Sequence, residues 1–111
     1  MKTVYTSSYE DKEQFVKDIL EPMLLSFDMG FVEAKYKHVG SNEFVSLTNR
    51  NPDKTILVNV SCDSIRALVQ DVMRALKLDW LVGFSQAHIN HFIFIFRGKI
   101  PIEILVSFLI Y

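Results

Sequence analysis

The 111-residue sequence predicts one α+β domain: a three-stranded antiparallel meander with two helices on one face, followed by an apolar C-terminal extension. Three observations predict it. Apolar residues recur at helical spacing over 16–27 and again over 65–76, three runs between them alternate with a period of two, and turn residues separate those runs. Two helices on one sheet face are a compact way to close a small core. A chain of this length cannot divide into two real cores, which excludes a multidomain enzyme.

The first helix is expected to open at Ser7 or Ser8. Ser7 and Glu10 have capping-box spacing, and Glu10, Asp11 and Glu13 put negative charge at the positive end of the helix dipole. Val16, Ile19, Leu20, Met23 and Phe27 form its apolar stripe. Pro22 lacks a backbone donor and clashes with the carbonyl of Asp18, so a kink or a restart is expected there, and Asp28 to Gly30 ends the helix. Phe31 to Val39 then alternates, with Val32, Ala34 and Tyr36 on the core face and Glu33, Lys35 and Lys37 on the other.

Gly40 to Asn42 make a turn into a second strand, Phe44 to Thr48, with Val45 and Leu47 inward. Asn51 to Lys54 supplies type I turn chemistry, and the third strand, Thr55 to Val60, directs Ile56, Val58 and Val60 to the core. Ser61 can cap the second helix. Ile65, Leu68, Val69, Val72, Met73 and Leu76 give that helix the strongest periodic signal in the chain.

The sequence changes character near Lys77, dividing a 1–77 core from a 78–111 extension that belongs to the same domain or to an oligomer interface. Only Asp79, Arg97, Lys99 and Glu103 are charged after residue 77, and no Gly, Ser and Pro linker marks the junction. No amphipathic period organises the extension. A hairpin of Phe92 to Phe96 with Ile102 to Val106, turned at Arg97 to Lys99, is expected to be apolar on both faces. A transmembrane helix needs about 20 apolar residues, and the charges and Pro101 interrupt any such run. The excess of Phe, Ile and Leu has two readings: a surface covered by another chain, or AT-rich DNA translated in an unintended frame.

Chemistry has little support in the sequence. Net charge is −1 and the composition is half hydrophobic, so bulk charge points to no polyanion partner. The single Cys62 and the absence of an apolar leader in the first residues predict a reducing, cytoplasmic compartment. Cys62 is expected in the first turn of the second helix, where the dipole lowers a thiol pKa, but Asp63 opposes that and no His stands at a partner spacing. His88 and His91 lack the further ligands of a zinc site. No phosphate loop, nucleophile elbow or dinucleotide fingerprint occurs, so neither an enzyme nor a cofactor or small-molecule substrate is expected.

Helix, three strands, helix resembles the order of double-stranded RNA-binding domains. Those open the last helix with lysines, where this chain has only Arg66 beside Asp63. A nucleic-acid reading would instead use Lys35, Lys37, Arg50 and Lys54 as a basic stripe on the open sheet face, with Glu33 and Asp53 interrupting it.

The run from Ile56 to Leu76, with Val58-Asn59-Val60-Ser61 ahead of an amphipathic helix, resembles the strand-to-helix unit of small bacterial proteins associated with plasmids and phages. Order and size are also similar to some anti-CRISPR inhibitors, small helix-sheet-helix proteins that block an RNA-guided nuclease. Many of those are strongly acidic DNA mimics, from which this chain departs. The resemblance implies a non-catalytic accessory or inhibitory protein of a mobile element. Partner contact, with another protein or a second copy, is then expected through Trp80, Phe84, Phe92, Phe94 and Phe96, aromatics beyond what the small core needs.

Overall fold

The computed structural model describes residues 5–60, 64–88, 91–96 and 102–107, with side-chain surroundings for 5–60, 64–80 and 82. Its described part has the expected α+β class. An N-terminal helix interrupted by one π turn and a second helix cover one face of a three-stranded antiparallel meander.

Helix α1 (Tyr9–Phe15) begins at Ser8, whose Oγ accepts the Asp11 N–H at 3.1 Å. Ser8 is one of the two expected starts, and the capping pair is Ser8 with Asp11 rather than Ser7 with Glu10. Asp11 completes the cap by accepting both the N–H and the hydroxyl of Thr6, at 2.7 and 2.6 Å. One π turn (Val16–Leu20) follows, then α2 (Glu21–Ser26) with Pro22 in its first turn. The N–H of Glu21 bonds to the carbonyl of Val16, five residues back, so the wider turn makes room for the proline ring without breaking the helix. The buried face is broader than the expected stripe. Phe15 and Leu24 join Val16, Leu20 and Met23 in the core, while Ile19 and Phe27 are only partly buried.

Strands β1 (Phe31–Val39), β2 (Asn42–Asn49) and β3 (Ile56–Val60) pair in sequence order. A bulge between Phe31 and Glu33 reverses the expected start of β1: Phe31 is buried and Val32 is 46% exposed. From Ala34 onward the expected alternation holds, with Ala34, Tyr36, Val45, Leu47, Val58 and Val60 against the helices. Pro52–Lys54 forms a short 3-10 turn begun by Asn51, whose side chain accepts the Asp53 N–H at 3.1 Å.

Buried Asn49 ties this end of the sheet together. Its Nδ2 donates to the Met29 carbonyl at 3.0 Å and its Oδ1 accepts the Asn51 N–H at 3.0 Å. Gly30, at φ +85, lies so close that a Cβ there would stand 2.8 Å from Asn49 Oδ1.

Helix α3 (Ile65–Ala75) buries Ile65, Leu68, Val69, Val72 and Met73 as its spacing predicts. Its cap is Ser64, which accepts the Ala67 N–H at 3.1 Å, rather than Ser61. The first turn starts at Ile65, and Cys62, expected in it, lies outside the described residues.

Strands β4 (Val82–His88), β5 (His91–Phe96) and β6 (Ile102–Ser107) form a second antiparallel meander. The expected hairpin is present, with Phe92 opposite Val106 and Phe96 opposite Ile102, while its turn falls outside the described residues. No alternation is readable there because 92–96 and 104–106 are apolar at every position. Among the described residues no helix is long and apolar enough to cross a membrane.

Candidate functional site

Trp80 is placed by the end of α3. Lys77 takes a left-handed conformation, φ 59, and the N–H groups of Lys77 and Leu78 bond to the carbonyls of Arg74 and Met73 at 3.0 and 2.8 Å. These two bonds are the 5→2 and 6→1 closures of a Schellman motif. Leu78 packs against the core, as does Val82 at the start of β4. Between these anchors a 3-10 turn, Asp79–Leu81, holds Trp80 67% exposed. A large aromatic carried outward on a turn with both ends anchored loses little further freedom on meeting a partner.

The other four expected aromatics are brought together by backbone register. Phe84 stands opposite Phe94, while Phe92 and Phe96 lie opposite Gln86 and Val82. By the two-residue period these positions share one face of the second meander. Their side chains lie outside the described set, as do those of His88 and His91, which stand opposite each other at the β4–β5 end.

The basic residues do not form one stripe. Lys35 and Lys37 are exposed on the helix-free face of β1, but Lys35 Nζ lies 3.7 Å from Glu33 Oε2. Lys37 pairs with Phe44, and Arg50 lies six residues farther along the chain, which along a strand spans roughly 20 Å. Lys54 sits in the turn beyond Arg50, beside Asp53.

A buried polar cluster went unpredicted. Lys12 of α1 and Glu43 of β2 are 2% and 7% exposed, with Nζ and Oε1 at 2.8 Å. The Tyr36 hydroxyl donates to the same Glu43 oxygen. Above them Tyr9 and His38 stack with ring centroids 3.9 Å apart, and Lys12 Nζ lies 5.5 Å from the centre of the Tyr9 ring. An ammonium, a carboxylate and a phenol in contact are suited to proton transfer, but these are enclosed in the helix–sheet interface. Their effect is to fix where α1 crosses the sheet. The inward alternation of Val45 and Leu47, continued one step each way, is the signal that finds Glu43 and Asn49. Lys12 stands four residues before buried Val16 on the same helical face.

Tyr5 has a clear electrostatic shift. Burial raises its pKa, and so do the charge of Asp18, a hydrogen bond to that carboxylate and the charge of Asp11. Its ring is fully buried, edge-on to Phe15 at 5.2 Å. A folded pKa above the unfolded value near 10 favours the native state below pH 10, and that contribution is lost as pH rises through the folded pKa. The midpoint of urea unfolding, followed from pH 8 to 12, should therefore fall more steeply above pH 10 for the wild type than for Tyr5→Phe. Parallel curves would contradict this.

Among the described residues no three His, Cys, Asp or Glu side chains gather as cation ligands. No protein family, curated protein or solved structure matches the chain.

Proposed function

We propose that the chain is a non-catalytic protein-binding module, an accessory or inhibitory protein of a phage or plasmid in the manner of anti-CRISPR proteins. It acts in the cytoplasm and meets a protein partner, or a second copy of itself, through the surface around Trp80. The exposure of Trp80 on its anchored turn carries this reading. Tryptophan is the side chain most suited to anchoring an interface, because it buries a large area and fixes few torsions. The proposed contact also takes in the positions of Phe84, four residues beyond Trp80, and of Phe92, Phe94 and Phe96, which the strand register groups with it.

Trp80 is the sole tryptophan, so its emission reports the surface directly. In the isolated chain it should be readily quenched by acrylamide, and partner binding should shield it. Trp80→Ala should weaken partner capture at least tenfold with unfolding unchanged. A duplex-binding protein would instead lose affinity by orders of magnitude between about 50 and 200 mM salt. Submicromolar duplex binding with that salt dependence, abolished by Lys35→Glu with Lys37→Glu, would replace the protein-binding reading.

A further inference from the structure

The strand order β1-β2-β3 puts β1 at the edge of its sheet, and among the described residues no strand pairs with it on the outer side. An open groove runs beside this edge, between the N-terminal helix and β1 from Glu33 to Val39. Its charges are balanced: the carboxylates of Glu13, Glu21 and Glu33 stand among the ammonium groups of Lys17, Lys35 and Lys37. Such a surface discriminates poorly between acidic and basic partners, but a two-fold interface asks only that a surface complement itself.

Register decides whether this edge does so. The Ala34 N–H donates to Glu21 Oε2 at 2.9 Å rather than to β2, so the backbone of Ala34 is directed outward. Two antiparallel copies centred on Ala34 would exchange N–H and carbonyl at that residue. They would also set each Lys35 beside the partner's Glu33, at the non-hydrogen-bonded positions where opposed side chains stand closest. Glu33 and Lys35 share the helix-free face, 46% and 59% exposed and 3.7 Å apart within one chain, so the two-fold joins two such pairs into a ring of four alternating charges. Neighbouring registers are worse. Centring on Glu33 sets that carboxylate against itself, and centring on Tyr36 sets Lys35 against Lys37. Centring on Lys35 places Glu33 beside Lys37 but sets Lys35 against itself.

Glu21 is what an added strand displaces. In the single chain its carboxylate holds the Ala34 N–H, a replaceable acceptor that shields the edge, and the two-fold brings both Glu21 side chains toward the same centre. The bulge between Phe31 and Glu33 keeps the ladder short. Both features make the pairing concentration-dependent rather than permanent.

We infer that this edge joins two copies of the chain, β1 pairing antiparallel with the partner's β1 about a two-fold at Ala34, so that two three-stranded meanders become one six-stranded sheet. Sedimentation velocity of the full chain between about 10 and 500 μM should show the wild type passing from monomer to dimer. Lys35→Glu, which sets like charges together, should weaken dimerisation by roughly tenfold or more, and so should Glu33→Lys. Mixing these two variants should restore a dimer that neither forms alone, and the double variant carrying both changes should dimerise as the wild type does. Glu21→Ala should tighten the dimer several-fold, and Trp80→Ala should leave it unchanged. A chain that stays monomeric throughout, or a dimer indifferent to the charge changes, would overturn the inference. Loss of the dimer with Trp80→Ala alone would place self-association on the surface around Trp80 and overturn it equally.

Discussion

Lys12→Met is expected to destabilise the chain by about 3–5 kcal/mol, because it leaves the Glu43 carboxylate in the helix–sheet interface without the ammonium that neutralises it. Glu43→Leu should cost a similar amount for the converse reason. The double variant should be far less harmful than the sum, because removing both charges also removes the penalty of burying either one. Urea unfolding of the four proteins completes a double-mutant cycle. Single losses below about 1 kcal/mol, or strict additivity, would show that the pair does not hold α1 on the sheet. Tyr36→Phe separates the hydroxyl from the ion pair: it removes one hydrogen bond to Glu43 and keeps the buried ring.

Truncation on the inner face of α3 is expected to be comparably severe. Leu68 and Val72 are fully buried, and Leu68→Ala should cost about 2–4 kcal/mol, with Val72→Ala toward the lower end because less volume is removed. Arg74, exposed on the same helix, provides the contrast: Arg74→Ala should change stability by no more than about 0.5 kcal/mol. Chemical denaturation monitored by circular dichroism checks all three. Losses below half a unit at both Leu68 and Val72 would mean that α3 presents another face to the core.

The α3 stripe was legible because five of its six expected apolar positions are fully buried and the sixth partly so, with no irregularity in the helix to shift their phase. The N-terminal helix was legible as a helix but not as a face. Its buried face is wider than the expected stripe, taking in Phe15 and Leu24 beside Val16, Leu20 and Met23. Val32 was misplaced because a bulge adds one residue at the start of β1 and inverts the alternation before Ala34. The first cap fell on Ser8, one of the two serines expected, and the second on Ser64 rather than Ser61, because neighbouring serines offer equivalent side chains and backbone geometry decides between them.

The candidate surfaces divide in the same way. Trp80 could be singled out because a tryptophan just past an amphipathic helix has no place in that helix's stripe. The Lys12, Tyr36 and Glu43 cluster was hidden because a lysine in a charged helical start reads as solvated, and its partner lies 31 residues away on a strand that begins two residues earlier than its apolar pattern.

Affinity capture from the native host, with wild type, Trp80→Ala and the Lys35→Glu with Lys37→Glu double variant side by side, tests the protein-binding reading most directly. Mass spectrometry should find a protein enriched by the wild type and lost with Trp80→Ala, and the recovered pair, once purified, should shield Trp80 from acrylamide. Equal recovery by wild type and Trp80→Ala, together with nuclease-sensitive material lost only with the lysine variant, would contradict the account and place recognition on the basic face.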